Sequence, residues 1–232
     1  MVHILINKLN SDILTLLPAV FATTAFFCSL YGGIWCKFLQ FQSSSPSNSN
    51  DITLHFGIWY YQGWSIVDTS SQGLVVLESC HDYPEYMTVD TNWKAARAFS
   101  IISLVLGGIV LIFGLCTGCI RPNNNSGSGD IGKFAALSYL ICCFSQGMSL
   151  LLLDSNACNN NVMVGEVEKA YPNLDFGESC DMSSGAKSVI SASVFWFAAC
   201  LAALRSPSLG EEERRVDGDD EMDPSRITEP LL

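Results

Sequence analysis

Long apolar runs without a charged side chain alternate with polar segments along the chain. The runs cover residues 13–35, 98–120, 134–153 and 188–204. About 20 apolar residues suffice to cross the hydrocarbon core of a bilayer, and a helix surrounded by lipid needs no charged face. The pattern therefore predicts an α-helical membrane protein, built as a four-helix transmembrane bundle.

A cleaved signal peptide is the alternative interpretation of the first run. Lys8 precedes the run, and small residues at positions 22–25 are compatible with processing. The run is nevertheless longer than the apolar region of a typical signal peptide, which has about 7–15 residues. We therefore expect a retained first helix.

Polar segments separate and flank the four runs. Residues 1–12 form a short N-terminal segment, and residues 36–97 form a long first loop. Residues 121–133 are a short polar link, and residues 154–187 form a second loop. Residues 205–232 are an acidic tail without apolar periodicity, for which disorder is predicted.

The first loop contains a strand-like pattern after a serine- and asparagine-rich stretch at 43–50. Apolar or aromatic side chains occupy every second position at Ile52, Leu54, Phe56, Ile58 and Tyr60. Such a period of two predicts a half-buried β-strand. Segments 64–67 and 74–77 predict two more strands. We expect a small antiparallel sheet on the membrane face, built mainly from this loop.

Small and polar residues within the runs suggest how the helices pack. Gly114 and Gly118 form a small-xxx-small pair that lets another helix approach closely. Ser145 and Gln146 lie in the middle of the third run and are expected to face other helices.

Composition and charge exclude some functions. Hydrophobic residues make up 49% of the chain and charged residues only 15%, with a net charge of −11. Nucleic-acid binding requires clustered Lys and Arg, which this chain lacks. Neither a catalytic constellation nor a set of metal ligands is evident, so we expect no enzyme activity, no cofactor, no metal and no small-molecule substrate.

Basic residues favour cytosolic termini. Seven Lys and Arg residues fall on the side of the termini and five on the other, which is the bias that cytosolic segments show. Cys80, Cys158 and Cys180 then all lie outside, in an oxidising compartment. Asn124 is an N-glycosylation acceptor in the link assigned to the cytosol, so a glycan there would invert the topology.

Cys116 and Cys119 form a C-x-x-C pair at the inner end of the second run. Juxtamembrane cysteines are common palmitoylation sites, and we regard both as candidates for this modification or for simple packing. The alternative is a redox pair, which would make the protein a membrane thiol oxidoreductase.

Several residues of the first loop form a recognisable set. A Trp ends the first run at Trp35, and Gly57-Ile58-Trp59 and Cys80 follow in the loop. Ala95-Ala96-Arg97 then leads into the second run. This set resembles the motif of the claudin and peripheral myelin protein superfamily, with Ile58 where the family has Leu. The long first loop, the short link and the moderate second loop also fit that family.

The resemblance implies a fold and a role. It implies a four-helix bundle capped by a small extracellular antiparallel β-sheet, with Arg97 bracing the sheet against the bundle. An arginine that only extends its side chain to the lipid interface is the alternative for Arg97. We expect a non-enzymatic membrane protein that makes lateral or cell-surface contacts, or serves as an accessory subunit. The plasma membrane is the expected location, and an endomembrane is the alternative. Its partners would be the lipid bilayer and other membrane proteins or further copies of itself.

The chain departs from the family at its cysteines. The family places a first cysteine soon after Gly-Leu-Trp, where this chain has Tyr60-Tyr61-Gln62. Cys80 is therefore left to pair with Cys36, with a second-loop cysteine or with none. Within the second loop we expect a Cys158–Cys180 disulfide.

Other families and functions stay open. Tetraspanins also have four spans, but their large loop lies between the third and fourth helices. A channel or transporter subunit is the next functional alternative, although none of the four runs contains a charged side chain. Trp35, Trp59, Trp64 and Trp93 are expected near the outer membrane interface, where amphipathic rings partition.

Overall fold

The computed structural model describes residues 2–43, 52–67, 73–119, 128–172, 174–177 and 179–205. The tail from residue 206 and the acceptor Asn124 lie outside the described residues. So does most of the low-complexity stretch at 43–50.

Five α-helices and one 3-10 helix make up most of the described chain. They are α1 Val2–Ile34, α2 Thr91–Cys119, α3 Ser128–Met148, a 3-10 helix Ser149–Asp154, α4 Val162–Ala170 and α5 Ser184–Arg205. Four helical segments are long and apolar enough to cross a membrane: Leu16–Ile34, Thr91–Gly114, Gly132–Asp154 and Ser184–Arg205. The prediction of four membrane-length helices is confirmed.

Helix α2 begins earlier than the apolar run from which it was predicted. It starts at Thr91, within the stretch expected to be loop, because Asp90 caps it. The Asp90 carboxylate accepts a hydrogen bond from the Trp93 backbone N–H at 2.9 Å, and its carbonyl accepts from the Lys94 N–H at 3.0 Å. These bonds satisfy N–H groups that a helix start otherwise leaves unpaired. Trp93 and Arg97 therefore stand on a helix.

The bundle packs around Trp196 of α5. Its side chain is fully buried, stacks on Tyr139 of α3 with 5.8 Å between ring centroids, and donates to Ser29 Oγ of α1 at 3.2 Å. A Cβ on Gly107 of α2 would lie 2.7 Å from the Trp196 ring. The glycine at this position thus leaves room for the Trp196 ring to pack against α2.

Two packing predictions have different outcomes. Ser145 and Gln146 are 5% and 1% exposed, which confirms that they face the bundle interior. Close helix packing at Gly114 and Gly118 stays a prediction: a Cβ added at Gly114 meets no described atom within 4 Å, which leaves room there for a larger side chain. The surroundings of Gly118, one turn further on, are not described.

A five-stranded antiparallel sheet lies at one end of the bundle. Its strands are β1 Leu39–Gln42, β2 Thr53–Phe56, β3 Tyr60–Val67, β4 Gly73–Asp82 and β5 Asp181–Met182, in the spatial order β4-β3-β2-β1-β5. Leu39 pairs with Phe56 on one side and with Met182 on the other. Both long polar segments therefore contribute to one sheet. We call the end of the bundle that carries it the sheet side.

The predicted strand from Ile52 to Tyr60 is interrupted. The chain leaves β2 at Phe56 and turns through Gly57-Ile58-Trp59, and the Gly57 N–H donates to the Tyr60 carbonyl at 2.7 Å. Apolar residues continue to occupy every second position through this turn, so the period of two in the sequence does not reveal the turn. The short strands β1 and β5 and the helix α4 were also not predicted.

The sheet and the bundle share one apolar core. Alternate residues Leu39, Phe41, Leu54 and Phe56 are buried on the same face, as a half-buried sheet requires. They pack in one cluster with residues of α2, the 3-10 helix, α4 and α5. The sheet is thus part of the folded unit with the bundle.

Candidate functional site

Two side chains of α2 donate to one carbonyl oxygen of the sheet. The indole N–H of Trp93 lies 2.9 Å from the Ile58 carbonyl oxygen, and Nε of Arg97 lies 3.0 Å from the same atom. Residues four apart on a helix share a face, which brings both donors to one point. We call this arrangement the Ile58 brace.

The turn that presents the Ile58 carbonyl requires glycine at position 57. A Cβ there would lie 2.5 Å from the Trp35 carbonyl oxygen and 2.8 Å from the Tyr60 carbonyl oxygen. Both are backbone atoms, so a larger residue would push the turn off the end of α1. The hydroxyl of the half-buried Tyr83 donates to the Gly57 carbonyl at 2.7 Å.

Aromatic rings surround the Arg97 guanidinium. Its Cζ lies 4.9 Å from the ring centroid of Trp59, 5.1 Å from that of Trp93 and 6.0 Å from that of Tyr83. A cation over an aromatic face is attracted by the ring quadrupole. Burial raises the pKa of Tyr83 above its usual value, so its hydroxyl stays a donor at neutral pH.

Two disulfides fasten the sheet side. Cys36, just beyond the end of α1, is joined to Cys80 of β4, and Cys158 is joined to Cys180. The second is the pairing expected within the second loop. The first is one of the partners left open for Cys80. Cys36 is thus the partner of Cys80.

Hydrogen bonds connect the two long polar segments. The other oxygen of Asp90 accepts from the Asn156 backbone N–H at 3.0 Å, and the Asn92 side chain donates to the Asp154 carbonyl at 2.9 Å. Tyr86 donates to Glu166 of α4 at 2.9 Å. Asp90, which caps the N-terminus of α2, therefore also holds the second long polar segment through Asn156.

His55 of β2 lies at another junction of the two segments. Its Nδ1 is 3.1 Å from the Ser183 hydroxyl, just before α5. Desolvation by burial, followed by the nearby charge of Lys37, lowers the pKa of His55.

The structure brings together most, but not all, of the residues singled out from sequence. Gly57, Ile58, Trp59 and Arg97 meet at the Ile58 brace. The Trp35 side chain is outside it, 48% exposed and stacked on Tyr31 with centroids 5.9 Å apart. Its contribution is the backbone carbonyl that faces Gly57.

Sequence reasoning missed Tyr83 and Asp90 and misplaced Trp93. Trp93 was expected at the membrane interface, but its side chain is fully buried. The spacing of four between Trp93 and Arg97 was the signal available. This spacing places two side chains on one face only if the helix begins before Trp93, and the apolar run begins only at Ala98.

The proposed modification pair is described only in part. Cys116 is exposed and unpaired in the structure, whereas the side chain of Cys119 is not described. Among the residues that the structure describes, no three His, Cys, Asp or Glu side chains cluster as a metal site requires.

Comparison with known proteins adds no assignment. No family model matches the chain, and no curated protein matches it. At the site, hydrogen bonds, ring contacts and disulfides join the sheet to the helices.

Proposed function

We propose that the protein is a non-enzymatic, claudin-like integral membrane protein that works through contacts made by its sheet side. The Ile58 brace is the observation that supports this most. Trp93 and Arg97 of a membrane-length helix hold the sheet by one backbone carbonyl. A sheet fixed in this way offers partners a surface of constant shape, which lowers the entropy lost on binding.

The claudin-like assignment rests on the motif residues. Gly57-Ile58-Trp59 and Arg97 are far apart in sequence and meet in space, with the Arg97 guanidinium over the Trp59 ring. The Cys36–Cys80 disulfide accounts for the departure at the family's first cysteine.

We place the sheet outside the cell and both termini in the cytosol, with the plasma membrane as the home membrane. Both disulfides lie on the sheet side, and disulfides persist in oxidising compartments. The bias of basic residues favours the same orientation.

Exposed apolar side chains on the sheet side supply a contact surface. Leu77 of β4 is 38% exposed, Tyr86 54%, Val162 of α4 46% and Met182 of β5 43%. Aromatic and Met side chains are enriched where proteins meet. The partners would be another membrane protein, for which this chain is an accessory subunit, or a second copy.

Purification of the full chain from its own membranes in a mild detergent tests this function. We expect a complex of fixed stoichiometry, with a second membrane protein or with further copies, that dissociates when Met182 and Leu77 are replaced by Lys. A single-chain species that conducts ions in liposomes would instead support the channel alternative. The thiol oxidoreductase alternative is tested by replacing Cys116 and Cys119 by Ser. Loss of cellular thiol-oxidising activity in this variant, while the complex stays intact, would favour that alternative.

A further inference from the structure

Arg97 carries a positive charge that the described part of the protein does not neutralise. The side chain is half-buried, and no carboxylate among the described residues lies within ion-pair distance of it. Its aromatic neighbours and the Ile58 carbonyl contribute partial charges only. A half-buried cation without a counter-ion is costly, and an anion at this point would offset the cost.

The guanidinium is held in a way that leaves a defined edge for an anion. Its Nε is used on Ile58, and the rings of Trp59 and Trp93 lie 4.9 and 5.1 Å from Cζ. These contacts fix the plane of the group. The two terminal nitrogens form the remaining edge, whose parallel N–H groups match two oxygens of one phosphate.

The position of Arg97 along α2 fits the level of lipid headgroups. From Ala98 to Cys119 the helix has no charged side chain. At about 1.5 Å per residue this stretch is about 33 Å long, close to the roughly 30 Å of the hydrocarbon core. Arg97 is thus the last charged residue before the core, where headgroup phosphates lie.

Lys94 adds a second charge beside the first. It is exposed and lies three residues before Arg97, hence on a neighbouring part of the same helix face. A flexible ammonium beside a fixed guanidinium suits an anion with several oxygens.

We propose that the terminal edge of Arg97, together with Lys94, binds the phosphate of a phospholipid headgroup. This inference rests on the proposed membrane role and names a ligand for the residue that braces the sheet. Bound lipid completes the set of partners around Arg97 and makes the attachment of the sheet sensitive to the lipid present.

Native mass spectrometry of the full chain in detergent micelles tests the proposal. The probes are short-chain phosphatidylglycerol, diacylglycerol with the same chains, and inorganic phosphate. We expect phosphatidylglycerol to bind and diacylglycerol not to bind. Equal binding of diacylglycerol would overturn the proposal, and so would binding of inorganic phosphate as tight as that of the lipid.

Variants locate the site. Lys94→Gln, at an exposed position that does not threaten the fold, should weaken phosphatidylglycerol binding several-fold. Arg97→Lys should weaken it about tenfold, the value of one charge-assisted contact. Lys187→Gln changes an exposed base in the first turn of α5 on the same side of the bundle, and should leave binding unchanged. Equal effects of Lys94→Gln and Lys187→Gln would overturn the site.

Because the assay uses the purified chain, its result is independent of protein partners. Failure of lipid binding leaves the contact function standing. A chain that copurifies with no partner leaves the lipid site standing.

Discussion

Arg97 Nε donates to the carbonyl oxygen of Ile58 across 39 positions of sequence, at 3.0 Å. The acceptor is shared with Trp93, so one peptide group of the sheet is held by two side chains of a membrane-length helix. The shared acceptor makes the sheet's position depend on the helix directly, without an intervening loop.

Removing the indole N–H of Trp93 should weaken the Ile58 brace while an aromatic ring still fills the position. Trp93→Phe keeps an aromatic ring but loses the hydrogen bond to Ile58, at a cost of about 1–2 kcal/mol. Thermal or denaturant unfolding in detergent measures the change. Trp64→Phe is the control, since Trp64 packs on Phe56 and Tyr61 in the same sheet. Equal losses in the two variants would show that ring volume, and not the hydrogen bond, matters.

Replacing Gly57 by Ala should reduce the stability of the protein far more than replacing Gly114 by Ala. Gly57→Ala places a Cβ against the backbone of Trp35 and Tyr60, and overpacking of this kind costs about 1–3 kcal/mol. Gly114→Ala meets no described atom and should change the stability of the chain by less than about 1 kcal/mol. Unfolding of both variants, with the size of the species in detergent, provides the comparison. Loss of self-association in Gly114→Ala would show that the predicted helix packing at this position occurs between chains.

Each disulfide should contribute substantially to stability. Cys36–Cys80 closes 44 positions and Cys158–Cys180 closes 22. Chain-entropy arguments give about 4 and about 3 kcal/mol for loops of these lengths. Double Ser variants of each pair, compared by unfolding, test the values. Peptide mapping without reduction tests the pairing, and a Cys80 linked to the second segment would contradict it.

Acidification should weaken the junction at His55. Its pKa in the folded protein lies below the usual 6.5, mainly through burial and secondly through Lys37, so the neutral form is favoured by folding. The unfolded chain therefore binds the proton more readily, and stability is fully present above pH 6.5 and falls as the pH drops through the folded pKa.

Unfolding between pH 7.5 and 5 measures this effect. His55→Gln should flatten the profile, because it removes the group whose pKa burial lowers. An unaltered slope in His55→Gln would assign the pH dependence to other groups.

The helices and part of the sheet were predictable because their signals are local. Uncharged runs reveal membrane-length helices, and the alternation from Ile52 to Phe56 reveals β2. The two-residue strand β5 is too short to show a period and exists because Leu39 and Gln40 pair with it. Likewise, α4 lies in a polar segment, where its buried Met163, Val164 and Val167 were not recognised as one face.

Of the two donors in the Ile58 brace, only Arg97 could be predicted from the sequence. Arg97 before an apolar run is visible in sequence, and the motif resemblance connected it with the sheet. That Trp93 is buried depends on a carbonyl 35 positions away, and on Asp90 starting the helix early. Such facts are set by tertiary contacts, so no local pattern contains them.

Site-specific photo-crosslinking in intact cells tests whether the sheet side is the contact surface. The crosslinker is placed at Met182 or Leu77 on the sheet, or at Val105, which is 57% exposed on α2. We expect adducts with one other membrane protein, or with a second copy, from the sheet positions, and lipid adducts from Val105. Protein adducts from Val105 with none from Met182 or Leu77 would contradict it.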